Sequence, residues 1–197
     1  MERNVNEFEM VGRLVANNLI RGGDYRYVVY AQDKRIEFFA GFDLPEGIEV
    51  MDYIYVRGYI NGRIRRDEDT GEDYQTQRLR ATIIEKADTE LERRFGVPGS
   101  VGDTYLNIYL SGTIRETVFE NDDYLRFTMS IPAAPEMESK RDRIVQVNAS
   151  KRRIPDLAIE PGDEIYIYAT ISLSEYENED GKTRSRQRVT MLDHHIN

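Results

Sequence analysis

Along residues 57–66 stand Arg57, Tyr59, Arg63, Arg65 and Arg66, and along 74–80 follow Tyr74, Arg78 and Arg80. Further on, Arg184, Arg186 and Arg188 are spaced two apart, downstream of Tyr166, Tyr168 and Tyr176. Side chains two apart on a strand share a face, so each set would place cations in a row beside flat rings. Such a row neutralises phosphates while the rings stack on bases, which is what a surface needs to take a nucleic-acid strand without reading its sequence. The same residue types also suit an exposed strand that pairs with nearby carboxylates, so a solvated face is the bland alternative.

Other chemistry finds little support. Cysteine is absent, which removes disulfides, thiolate metal sites and thiol nucleophiles. The two histidines, His194 and His195, are adjacent near the C-terminus, and neighbours on a strand point to opposite sides. The acidic run from Asp67 to Asp73 carries its glycine, Gly71, as the fifth residue where a calcium loop needs it sixth. Arg78 also takes the place of that loop's bidentate glutamate, so the run is read as a hairpin tip. Gly96-Val97-Pro98-Gly99-Ser100-Val101-Gly102 lacks the Gly-Lys-Ser/Thr ending of a phosphate loop and is read as a linker. Lys151-Arg152-Arg153 is read as a loop. No catalysis, metal or cofactor is expected.

The elements that must carry the arginines emerge from an internal repeat. Met10-Val11-Gly12-Arg13-Leu14 returns as Leu110-Ser111-Gly112-Thr113-Ile114 at an offset of 100. The run from Asp52 to Ile60 returns from Asp163 to Ile171 at an offset of 111, and Gly71 returns as Gly181. The order is kept, with an insertion of about ten residues between Tyr124 and Asp163 that includes Pro132-Ala133-Ala134-Pro135. The chain is therefore read as two domains, 1–88 and 105–197, joined by 89–104, where 88–94 could add a short helix. In each half the dominant period is two: Ile54, Val56, Gly58 and Ile60 form one face, with Tyr53, Tyr55, Arg57 and Tyr59 on the other. Strands are predicted at 8–15, 25–31, 35–42, 53–60 and 75–84, and again at 106–118, 124–131, 143–149, 164–171 and 184–192, with a helical turn at 154–159. Five strands per half suit an all-β fold of two tandem oligonucleotide-binding (OB) barrels related by internal duplication, whereas an immunoglobulin-like sandwich would need about seven.

The run Asn6-Glu7-Phe8-Glu9-Met10-Val11-Gly12-Arg13-Leu14 resembles the opening strand of bacterial and phage single-stranded DNA-binding proteins. Tyr55-Val56-Arg57-Gly58-Tyr59-Ile60, a polar hairpin with Thr70-Gly71 and the strand 76–84 resemble that family's fourth and fifth strands. In the second half the similar stretches are 107–114, 166–173, Asp180-Gly181 and 183–191. The resemblance implies binding of single-stranded DNA without catalysis or metal, by four barrels around the strand, so that a two-barrel chain would act as a homodimer. Replication proteins would be further partners. Two features depart from the family: tryptophan is absent, and Leu192-Asp193-His194-His195-Ile196-Asn197 differs from its acidic recruiting tail.

The candidate nucleic-acid-binding residues are Phe39, Arg57, Tyr59, Arg63, Arg65, Tyr74, Arg78 and Arg80 in the first half. In the second they are Tyr124, Arg126, Tyr168, Tyr176, Arg184, Arg186 and Arg188, with Tyr166, Tyr168 and Tyr176 expected opposite the three last arginines. The net charge of −9 opposes binding unless the field is segregated, and acidic hairpin tips flanked by arginines would segregate it. A protein-interaction module of OB barrels, docking a replication or host-defence protein, is the alternative function. The polar start and the lack of a long apolar run lead to the expectation of a cytoplasmic chain without a membrane segment, from a phage or mobile element.

Overall fold

The computed structural model describes residues 5–20, 22–66, 73–87, 104–135, 137, 141–177 and 183–196, with side chains for all but 64–66, 73–75, 175–177 and 183–185. Ten strands form: β1 Asn6–Leu19, β2 Tyr25–Ala31, β3 Lys34–Ala40, β4 Tyr53–Arg66, β5 Asp73–Lys86, β6 Tyr105–Glu120, β7 Tyr124–Ile131, β8 Arg143–Ser150, β9 Glu164–Glu177 and β10 Thr183–Ile196. In the first set β1 lies antiparallel to β2 and β4, β2 antiparallel to β3, and β3 parallel to β5, which neighbours β4. That circuit closes a five-stranded barrel consistent with the OB fold. The set β6, β7, β8, β10, β9 closes by the same pattern, with β8 parallel to β10. Among the described residues no helix is long and apolar enough to cross a membrane.

The period of two explains where the core sits. Phe8, Met10, Leu14, Ile36, Phe38 and Val56 are fully buried in the first barrel, as are Ile108, Leu110, Phe127, Val147, Ile167 and Met191 in the second. β1 serves two neighbours, pairing with β4 through Arg13 and with β2 from there on, past an irregularity between Leu14 and Ala16 that bends it. Gly12 precedes that bend, and a Cβ on it would overlap the Val29 side chain and the Tyr30 carbonyl; at Gly112 it would overlap the Ser130 carbonyl. One face behaves differently from expectation. Tyr55, predicted outward, is only 4% exposed, and its cross-strand partner Val11 only 5%, so at this rung the β1–β4 pair is covered on both sides. Burial pushes the Tyr55 hydroxyl up to about 12, with Glu9 adding to the shift.

The longer connection between β7 and β8, residues 132–142, stands where β2 and β3 are joined by Gln32 and Asp33 alone. After β8 the chain makes hydrogen-bonded turns instead of the predicted helical turn at 154–159. The Ile154 amide donates to the Ser150 carbonyl at 3.0 Å and the Leu157 amide to the Ile154 carbonyl at 3.3 Å. The helix expected at 88–94, the linker 89–104 up to Asp103, and the hairpin tips at 67–72 and 178–182 fall outside the described residues.

The turns before β4 and β9 match bond for bond. The Met51 amide donates to the Leu14 carbonyl at 2.7 Å, and the Gly162 amide to the Ile114 carbonyl at 2.9 Å. Asp52 and Asp163 each accept from the backbone amide three residues earlier, Glu49 and Glu160, at 3.0 and 2.7 Å. Gly162 takes φ +102 without cost, but Met51 holds φ +88 with a side chain that is 53% exposed. Met51→Gly is expected to stabilise the chain by about 1 kcal/mol, because the left-handed penalty exceeds glycine's extra unfolded-state entropy. Urea unfolding of the two proteins checks it; an unchanged or lower midpoint would contradict the strain.

Contacts divide the chain into two compact units that cut across the linear division into 1–88 and 105–197. One comprises Met1–Asn6, Ile60–Gln77 and Ile108–Asn197, the other Glu7–Tyr59 and Arg78–Asn107. In the first unit the outer part of the β4–β5 hairpin packs on β8. A Cβ on Gly62 would overlap the Ile144 carbonyl, and Gln77 Oε1 accepts from the Gln146 amide at 3.1 Å. Asn6 joins the same hairpin: its Nδ2 donates to the Ile60 carbonyl at 3.1 Å and its Oδ1 accepts from the Ile60 amide at 2.9 Å.

Candidate nucleic-acid interface

In the first barrel the parallel pairing of β3 with β5 sets Phe39 beside Arg80, and the antiparallel pairing with β2 sets it beside Arg26. The Arg78 guanidinium lies 4.8 Å from the centroid of the Phe39 ring, within cation–π range. Arg80 donates to both carboxylate oxygens of Asp24, at 2.6 and 3.1 Å. That bond is the main reason its guanidinium is held more basic than usual, and Tyr59 adds to the effect. Arg57 pairs with Glu7 at 2.7 Å. Two cations of the expected stripe are thus committed to carboxylates within the chain, as the bland reading requires. Arg63 is exposed, while the side chains of Arg65 and Tyr74 lie outside those described.

Two arginines of the second barrel bond neutral partners. Arg126 on β7 donates from Nε to Asn148 Oδ1 at 3.0 Å, and its guanidinium sits 6.0 Å from the Phe119 ring. Arg188 on β10 donates from Nε to Ser174 Oγ at 2.8 Å. Burial lowers the basicity of Arg188, and the neighbouring cations Arg126 and Arg186 lower it further. Arg126 and Arg186 thus lie close enough to Arg188 to disfavour its charge. Phe119 and Tyr124 stand exposed on this barrel, at 48% and 57%.

The register corrects one expectation. Antiparallel pairing across the β9–β10 hairpin puts Arg184 opposite Tyr176, but Arg186 opposite Ser174 and Arg188 opposite Ser172. Tyr168 and Tyr166 fall opposite Asp193 and His195, too far along the hairpin to flank the arginines. Tyr168 instead stacks on Tyr109 across the β6–β9 pair, with centroids 5.5 Å apart. The side chains of Arg184 and Tyr176 lie outside those described. Lys151 and Arg152 bond Glu120 and Asp123 at 2.6 and 2.7 Å, in keeping with their reading as a loop.

The register also identifies residues that the stripe search overlooked. Arg126 pairs with Asn148, and Asn148 with Thr190; Arg26 pairs with Phe39, and Phe39 with Arg80. Arg26 is therefore the counterpart of Arg126, and it precedes it by 100 residues, the same offset as Gly12 to Gly112. Its Nε is buried without a hydrogen-bond partner among the described residues. Phe119 had no comparable signal in the sequence, because it stands beyond the second irregularity of β6.

Comparison with solved structures bears on this architecture. The chain is similar in fold to the single-stranded DNA-binding protein of Thermus aquaticus. With the wild-type form of that protein the TM-score is 0.57 at 14% identity, covering 100% of this chain and 94% of that one. With a deletion variant of it the values are 0.56, 15%, 100% and 96%. The likeness spans all ten strands and is one of fold. No protein-family model matches the chain. No curated protein matches it in sequence.

Proposed function

We propose that this chain binds single-stranded DNA without sequence preference and without catalysis. Its two OB barrels, 1–88 and 105–197 with the linker 89–104, would descend from one by duplication, as the matching strand registers and the matching turns at Met51 and Gly162 suggest. The observation that carries the reading is the cluster of Arg126 and Arg188, bonded to the uncharged Asn148 and Ser174, with Arg186 alongside and exposed aromatic rings nearby. Cations bonded to neutral groups keep their field for phosphates, and exposed rings accept bases of any identity. Similarity in fold to the Thermus aquaticus protein supports the same reading. In this proposal the chain is of the bacterial and phage type, a cytoplasmic homodimer presenting four barrels, and serves replication or recombination of a phage or mobile element.

Fluorescence anisotropy of a labelled oligo-dT of roughly 35 nucleotides, titrated at low and then moderate salt, tests the proposal. Saturable binding that weakens steeply with salt and resists a duplex competitor is the expected result. A flat titration at low salt would favour the second reading, a module that docks a replication or host-defence protein. The net charge of −9 and the internal pairing of Arg57 and Arg80 speak for that reading.

A further inference from the structure

The two barrels share a register, yet their side chains differ where a strand would lie. Asp24 and Tyr124 each close the hairpin into the following strand, their carbonyls accepting from the Ile20 amide at 2.8 Å and the Asn121 amide at 2.9 Å. Through the same pairings Arg80 corresponds to Thr190. The bidentate Asp24–Arg80 ion pair of the first barrel is therefore replaced in the second by a tyrosine and a threonine. An outward position away from the arginines also loses its charges. Glu9 faces Arg57 across β1 and β4, while Tyr109 faces Tyr168 across β6 and β9. At these positions the first barrel has charged side chains and the second uncharged ones.

Resting on the single-strand reading, we propose that the two barrels are unequal, and that the second holds the strand while the first is masked by its own ion pair. In the second barrel Arg126 and Arg188 take phosphates, and Tyr124 with Phe119 receives bases. In the first, Asp24 occupies the guanidinium fork of Arg80, the group that a phosphate would otherwise bridge. A strand approaching Phe39 and Arg78 must displace that carboxylate or pass beside a negative charge. The clustered cations of the second barrel are the converse case: an anion placed among Arg126, Arg186 and Arg188 relieves a repulsion that the free protein carries.

Two experiments on the full chain decide it. Ultraviolet cross-linking to oligo-dT, mapped by peptide mass, is expected to mark peptides with Phe119 or Tyr124 well above the peptide with Phe39. In the anisotropy assay Asp24→Asn is expected to raise affinity by up to about fivefold by freeing Arg80, the size of an exposed ion pair. It should also steepen the salt dependence by about one phosphate contact. Asp33→Asn, the same charge change in the exposed β2–β3 turn, controls for net charge and should give a smaller gain. Cross-links of equal yield in both barrels or confined to the first, or equal gains from the two asparagine variants, would overturn the inequality. Those outcomes leave single-strand binding standing; absence of any binding by the unmodified chain removes the reading beneath it.

Discussion

Replacing Arg184, Arg186 and Arg188 with alanine should weaken oligo-dT binding by about 100-fold at low salt, the effect of removing three charge-assisted hydrogen bonds, each discounted for partial solvation. Arg188 dominates, because it is partly buried, donates to the neutral Ser174, and faces like charges. The diagnostic readout is the slope of log affinity against log salt, which should become shallower by roughly two to three, about one for each phosphate no longer neutralised. A fold defect would lower the active fraction without changing that slope, and the triple lysine variant should restore most of the binding. Full affinity in the alanine variant would exclude β10 as the contact surface.

Asn6→Ala should cost about 2 kcal/mol of stability, lowering the melting temperature by roughly 4–8 °C for a chain of this size. The Asn6 side chain is 9% exposed and satisfies both polar groups of Ile60 while its Nδ2 also lies 3.3 Å from the Pro132 carbonyl. Alanine leaves the Ile60 amide and carbonyl without this partner inside the unit, where water does not replace it freely. Asn6→Asp retains an acceptor for the Ile60 amide but turns a carboxylate towards two carbonyls, so it should be at least as damaging. Paired thermal and urea melts would check both variants. A loss below about 0.5 kcal/mol for alanine would mean that β1 holds its register without this clamp.

Both expectations depend on placements that differ in how well the chain announces them. The strands were legible because alternation such as Ile54, Val56, Gly58, Ile60 records the pleat directly. The paired offsets, Gly12 with Gly112 and Asp52 with Asp163, were legible because the same turn chemistry recurs. The site was legible only as a set of faces. Arg57, Arg80 and Arg188 all read as outward arginines, yet two bond carboxylates and the third bonds a serine. Tyr168 read as a ring for bases and is stacked on Tyr109 instead.

By itself the sequence determined the all-β class, the period-two core, the repeat and the candidate cations, since each follows from residues near one another along the chain. Only the tertiary structure decided which cations lie against carboxylates and which against neutral groups. Asp24 reaches Arg80 across 56 residues and Glu7 reaches Arg57 across 50, through strand pairings that a local pattern does not specify. It likewise decided that Tyr55 is buried although it alternates onto the outer face, because alternation tells which way a side chain points and not what lies against it.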